Sequence, residues 1–344
     1  MANRDFNCLP TVIGSMPHKD PEEACALVSR YVKDIPAWPQ LTRISVLENM
    51  YAQYIEGFPG ATVTEDRVYV NRDQDLTGQL EEFYTAYLEN DVDKFPISPD
   101  HASGLYAFLS RNDLSPQAVK GQLTGPVTWG LTVTDENRRA IIHDELLGDA
   151  VAKLLRLKAG WMEKQLRRIS PNTIIFIDEP YMAAYGSSAS SGVFSSPQDI
   201  INLLDEVFDG ISGLKGLHCC GNTDWSVMLQ TKLDILSFDA YNYADSLAIY
   251  PDEVKGFLGR NGVIAWGIVP NEEEPLDRET VSSLVDRLEA AMAPFTGPDI
   301  TIRDLVKRGL LTPSCGLATL TEDAALQVME LLEALSVEIR KKYA

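Results

Sequence analysis

Leu217-His218-Cys219-Cys220-Gly221-Asn222-Thr223-Asp224-Trp225 is the stretch from which the rest of the chain can be read. The residues just before it, 214–217, have the short apolar character of a buried strand, and Gly221-Asn222 is a turn signal. On a strand, positions two apart point the same way. His218 and Cys220 therefore stand side by side at a strand end, with Cys219 turned to the opposite side. A further thiol lies in Leu311-Thr312-Pro313-Ser314-Cys315-Gly316-Leu317, another apolar segment ended by glycine. Two thiolates and one imidazole suit Zn²⁺, and three protein ligands leave one coordination position for a substrate. The wide gap from Cys220 to Cys315 also differs from the compact paired spacing of structural zinc modules. His218, Cys220 and Cys315 are thus read as a catalytic zinc site. The plainer alternative is that they are core residues, because a His-x-Cys pair occurs by chance in many chains. A layout that carries Cys315 to the same rim separates the two readings.

Working outward, residues 173–177 form a near-continuous apolar, β-branched run, as expected of a strand buried on both faces. It ends in Asp178-Glu179-Pro180. Residues 8–13, 118–123, 233–238, 263–267 and 310–313 read as further strands. Helical spacing marks 21–32, with Asp20 as N-cap and Pro21 in the first turn, and also 76–89, 141–168, 197–210, 279–292 and 322–342. Residues 61–71 alternate like a hairpin or extended arm. The Ser/Gly/Ala-rich stretch 183–196 reads as a loop, with a lid as the functional alternative. Strands alternating with helices at this length predict an α/β fold, a closed (β/α)₈ TIM barrel. The expected organisation is one domain over 1–344, with an inserted hairpin and helical arm around 58–112. In such a barrel, chemistry sits at the C-terminal ends of the strands. The polar residues ending the apolar runs are Ser15, Thr124, Asp178, His218, Cys220, Asp239 and Cys315, and a barrel gathers them on one rim.

The 344 residues are 45% hydrophobic, enough for a sizeable core. No apolar run approaches a membrane span, and the N-terminus lacks a signal-peptide pattern, which predicts a cytoplasmic protein. Five scattered cysteines fit a reducing compartment. The net charge of −20 is spread along the chain and disfavours nucleic acid and anionic membranes as partners.

Five ordered segments resemble the catalytic half of cobalamin-independent methionine synthase, within the uroporphyrinogen decarboxylase/methionine synthase-like superfamily. They are Ile13-Gly14-Ser15-Met16-Pro17, Lys120-Gly121-Gln122-Leu123-Thr124-Gly125-Pro126-Val127-Thr128, Phe176-Ile177-Asp178-Glu179-Pro180, His218-Cys219-Cys220-Gly221-Asn222 and Pro313-Ser314-Cys315-Gly316-Leu317. The resemblance runs from about residue 10 to the C-terminus. It implies a zinc-dependent transfer of a methyl group to a thiol, with homocysteine giving methionine. By this resemblance His218, Cys220 and Cys315 hold the metal, Asp178 receives the homocysteine amino group, and the backbone of Ile13, Gly14 and Ser15 meets its amino-acid end. Glu48 would add a second acidic contact to the amine; read from its own surroundings, it is a solvated helix-face glutamate. A free thiol is mostly protonated at neutral pH, and metal coordination deprotonates it.

Two departures bear on the donor. Folate-using members carry a glutamate as a further zinc ligand; here the nearest counterpart is Asp239, equally able to ligate, bind substrate or cap a helix. Those members also have a histidine beyond strand seven, thought to protonate the leaving nitrogen. Trp266-Gly267-Ile268-Val269-Pro270-Asn271 has none, and no separate protein general acid is identified. Nor does the sequence show the N-terminal half with which folate-using members bind their donor. An unprotonated amine leaves poorly, whereas cob(I)alamin leaves without a proton. A methyl-corrinoid, carried on a partner protein, is therefore the expected donor. The alternatives are methylation of coenzyme M or another small thiol, a metal-free uroporphyrinogen decarboxylase-like enzyme, and a non-catalytic corrinoid-binding barrel. Of the remaining residues, His18 reads as a surface histidine, and His101 and His143 as structural or exposed. Cys8 and Cys25 read as small buried apolar groups. Trp129 and Trp225 are either mouth or core.

Overall fold

The computed structural model describes residues 4–64, 67–185, 194 and 196–344. Seven strands form one all-parallel sheet in the order Leu9–Pro10, Gly309–Pro313, Val263–Val269, Ile235–Phe238, Leu214–Cys219, Thr173–Asp178, Val119–Thr124. Helices separate most successive strands and cover the sheet, as parallel connections require.

The sheet edges are Leu9–Pro10 and Val119–Thr124, and residues 36–40 bridge toward both. Ala37 pairs with Lys120, and Gln40 pairs with Ser15, both in parallel sense. The Lys120 amide donates to the Pro36 carbonyl at 2.9 Å, and the Gln40 amide to Gly14 at 3.0 Å. Seven strands rather than the expected eight are regularly paired, and the residues explain why. Pro36 and Pro39 lack the N–H a ladder needs, so this segment makes isolated bridges. The first strand is also shorter than 8–13: Asn7 and Cys8 are left-handed, at φ 50° and 54°, and regular pairing begins only at Leu9.

Side chains alternate along each strand, and one inward layer is wholly apolar. Leu9, Ala118, Ile174, Leu214, Ile235, Val263 and Leu310 pack together with Phe6, Ile35, Phe176 and Ala265. The other strand faces join the larger core beneath the helices. The longest connecting helix, Glu145–Leu166, starts later than its periodicity suggests. The Asp144 side chain accepts from the Leu146 and Leu147 amides and fixes the N-terminus there; residues 141–143 form only a 3₁₀ turn. Asp20 caps Pro21–Tyr31 in the same way, as its position predicts.

Within 58–112, strands Ala61–Val63 and Val68–Val70 pair antiparallel, and the second joins Thr134–Asp135 in a small separate sheet. Helices Thr77–Glu89 and Ser103–Ser110 complete this region. Most of the expected loop at 183–196 lies outside the described residues. No described helix is long and apolar enough to cross a membrane.

Candidate metal centre

Strand Leu214–Cys219 turns His218 inward between Asp178 and Ser237 of the neighbouring strands, the residues paired with it in register. His218 Nδ1 lies 3.0 Å from Ser237 Oγ. A ring nitrogen donating to that hydroxyl leaves Nε2 as the lone-pair nitrogen. Nε2 is buried and has no hydrogen-bond partner among the described residues. Cys219 points away, as alternation requires: its Sγ sits 3.7 Å from the Gly221 carbonyl, and burial pushes its thiol up to about 12. Cys220 follows the strand end. Its sulfur, the Cys315 sulfur and a ring nitrogen of His218 lie within 4.8 Å of one another. The structure thus brings together the three residues singled out from the sequence.

Cys315 arrives by a different device. Strand Gly309–Pro313 keeps even register with Val263–Val269 until Thr312, then shifts so that Pro313 faces Val269. Such irregularities re-aim the chain at barrel rims. The following turn is pinned from both sides. Ser314 N donates to Val269 O at 2.8 Å, Ser314 Oγ to Asn271 Oδ1 at 2.7 Å, and Asn271 Nδ2 to Gly316 O at 3.1 Å. On the far side, Leu317 N donates to Ser15 O at 2.8 Å. Ser314 and Asn271 were not singled out from the sequence as supports, because their pairing depends on two strands meeting in space.

The two thiols differ in charge. A hydrogen bond from Cys315, and then the imidazole of His218 beside it, hold the Cys220 thiol well below its ordinary range. The same hydrogen bond to Cys220, reinforced by burial, pushes Cys315 well above it. A buried imidazole with an unpartnered nitrogen, facing two sulfurs of which one is readily ionised, is a donor set that fits Zn²⁺.

Around this cluster, Asp178 carries an Oδ1 that is buried and without a hydrogen-bond partner among the described residues. Burial raises its carboxyl, while His218 and Lys120 pull it back down. Glu179 faces the other way. It accepts from Val127 N, Thr128 N and Thr128 Oγ1 at 2.6–2.9 Å, locking two of the sequence motifs together. Asp239 is buried, and both its oxygens are engaged by Asn242, through the backbone N–H at 2.9 Å and Nδ2 at 2.8 Å. It caps helix Ala240–Ala248 and stands outside the three-donor group.

The Ile13, Gly14 and Ser15 segment abuts the Cys315 turn. A Cβ on Gly316 would collide with Ser15 Oγ, and a Cβ on Gly14, at φ 150°, would overlap the Gln122 amide. Only glycine tolerates that approach and that backbone.

Several expectations are corrected. Glu48 is not a solvated helix-face residue; it is 1% exposed. Its Oε1 accepts from Ser103 Oγ at 2.5 Å and Ser103 N at 3.3 Å at the start of helix Ser103–Ser110, which draws it inside, and Oε2 has no hydrogen-bond partner among the described residues. His18 is buried rather than at the surface. Trp129 and Trp225 are core, their indole N–H groups satisfied by Tyr51 O and Ser246 Oγ, both at 3.0 Å. Lys120, fully buried beneath the rim, carried no role in the sequence reading.

No family model matches the chain. A methionine synthase of Methanocaldococcus jannaschii is 24% identical over 230 residues, which cover 66% of this chain and 67% of that protein. Among solved structures, a B12-independent methionine synthase from Shewanella sp. W3-18-1, in complex with selenomethionine, superposes with a TM-score of 0.57 at 14% identity, covering 97% of this chain and 98% of the other. A Listeria monocytogenes protein assigned as a vitamin-B12-independent methionine synthase gives 0.55 at 12% identity, covering 94% and 85%. At these identities, the structural likeness establishes a shared α/β fold with a curled parallel sheet.

Proposed function

We propose that this chain is a methyltransferase of the methionine synthase type, which moves a methyl group to a small thiol and takes L-homocysteine as its favoured acceptor. The observation that carries the reading is the cluster of His218, Cys220 and Cys315, three donors from two distant parts of the chain within 4.8 Å. The relatives of that name support the reaction class. We read the sheet, with residues 36–40 as its eighth stave, as a closed (β/α)₈ barrel forming one domain, with 58–112 as an inserted arm. His218, Cys220 and Cys315 would hold Zn²⁺, which when bound would keep a substrate thiol ionised and nucleophilic at neutral pH.

The chain's own residues supply the rest. Ser237 orients the imidazole, and the 314–317 turn holds the second thiol. Asp178, with an uncommitted oxygen beside the cluster, suits the ammonium of homocysteine. That carboxylate, with Asp239 nearby, disfavours the sulfonate of coenzyme M. Ile13, Gly14 and Ser15 would meet the amino-acid end, and Glu48, whose Oε2 has no hydrogen-bond partner among the described residues, would supply a second acidic group. Overall, the sulfur gains the methyl group, the donor keeps the electron pair of the broken bond, and the thiol proton is released on ionisation.

For the donor, the 266–271 segment without histidine favours a methyl-corrinoid, on a partner protein, over methyltetrahydrofolate. The B12-independent descriptions of the structural neighbours point the other way, so the donor assay carries the most information. Purified protein should contain about one zinc per chain. It should form methionine from homocysteine with methylcobalamin faster than with methyltetrahydrofolate. Turnover with folate alone would overturn the donor; a protein that binds no zinc would overturn the whole reading.

A further inference from the structure

One buried lysine beneath the site has no role in binding or catalysis in the reading above. Lys120 is fully buried on the inward face of Val119–Thr124. Among the described residues, no carboxylate lies within ion-pair distance of it. Its ammonium instead donates to the Ile13 carbonyl at 2.7 Å and to Gln122 Oε1 at 3.2 Å, and lies 4.3 Å from the centre of the Phe176 ring. Burying a lysine amine is expensive whether charged or neutral, and burial lowers its pKa to about 7 even though Asp178 pulls it up, so packing alone does not account for it.

What it holds is informative. Gln122 spends its own N–H on the Trp38 carbonyl at 3.0 Å, and its amide lies flush beneath Gly14, where no Cβ would fit. The Gly14 and Ser15 carbonyls are fastened in turn by the amides of Gln40 and Leu317. Lys120 therefore stands at the base of a short chain of contacts that runs through 13–15 to the turn bearing Cys315. We propose that Lys120 is a positioning residue for the amino-acid end of the substrate: from inside the barrel it fixes the Ile13 carbonyl and the Gln122 platform, and so sets where Gly14 and Ser15 present their backbone. The substrate half of this rests on the function proposed above.

Amide exchange reads the positioning by itself, whatever the substrate proves to be. In Lys120→Met, the segments carrying Gln40 and Leu317 should exchange faster than in wild type; unchanged exchange overturns the proposal. Calorimetric titration of the zinc-loaded protein then reads the consequence. Lys120→Met should bind L-homocysteine roughly tenfold or more weakly, the range for a buried carbonyl losing its donor. It should lose much less affinity for 2-mercaptoethanol, which has no amino-acid end. Equal losses for the two thiols indicate a general structural role and overturn the proposal. Equal wild-type affinity for both thiols would instead refute homocysteine as substrate, and the exchange result then decides the positioning alone. If Lys120→Met does not fold, Gln122→Met, which removes the amide beneath Gly14 but keeps the lysine, should show the same selectivity to a smaller degree.

Discussion

The floor and the rim of the sheet are built from the same strands and differ only in how far along each strand a side chain sits. At the floor, Leu310, Ile174, Leu214 and Ile235 make an apolar layer. Four residues further on, Leu214 is replaced by His218 and Ile174 by Asp178; past the end of the Leu310 strand stands Cys315. A strand's period of two brings each of these in-strand pairs to the same interior. The lower half is closed by apolar packing that costs nothing to desolvate. The upper half holds polar atoms that lack partners among the described residues, notably His218 Nε2 and Asp178 Oδ1. Apolar packing and buried polar groups are thus separated along the strands of this curled parallel sheet.

The largest effect should come from the rim. Cys315→Ser or Cys220→Ser should bring zinc content and thiol methylation down to background while the thermal transition stays near wild type, measured by metal analysis and calorimetry. Full zinc retention in either variant would break the comparison. Lower down, on the strand that leads to Cys315, Leu310→Ala should do the reverse. A fully buried leucine lost from the floor costs about 2–5 kcal/mol in denaturant unfolding, with zinc affinity kept by the molecules that fold. Ser237→Ala sharpens the picture from beside the cluster. Freeing the imidazole from its orienting hydroxyl should weaken zinc binding roughly 10–100-fold in a competition titration, with little change in stability.

The remaining effect, seen only as a change with pH, comes from a buried lysine away from both layers. Lys158, on Glu145–Leu166, donates to the Pro96 carbonyl at 2.7 Å, and burial lowers its pKa to about 7. Between there and its ordinary value near 10.5, the unfolded chain keeps a proton that the folded chain has released. Stability relative to Lys158→Met should therefore rise with pH above 7, by at most ~1.4 kcal/mol per pH unit. A flat difference in unfolding free energy from pH 7 to 9 would show that the folded protein keeps this lysine charged.

Much of this was legible in the sequence because it is local. Asp20 before Pro21 predicts a cap, and the structure has it. The apolar run to Ile177 predicts a buried strand, and alternation sends Cys219 away from Cys220. Glu48 and His18 were misread for the opposite reason. A charged or titratable side chain in a short irregular segment reads as exposed, and only the helix Ser103–Ser110, far along the chain, shows that Glu48 is enclosed. Pro36 and Pro39 are plain in the sequence, yet that they leave residues 36–40 with only isolated bridges shows once this segment is seen between two sheet edges.

Residue types and their spacing were enough to indicate that His218 and Cys220 lie on one side of their strand and Cys219 on the other, because backbone periodicity is set by bonds between neighbours. The tertiary structure alone decided that Cys315 meets a pair of residues nearly a hundred positions earlier, that Asp239 is committed to a helix cap, and that Lys120 lies under Ile13. Those are through-space meetings, fixed by strand order and by a register shift at Pro313, and no local pattern records them.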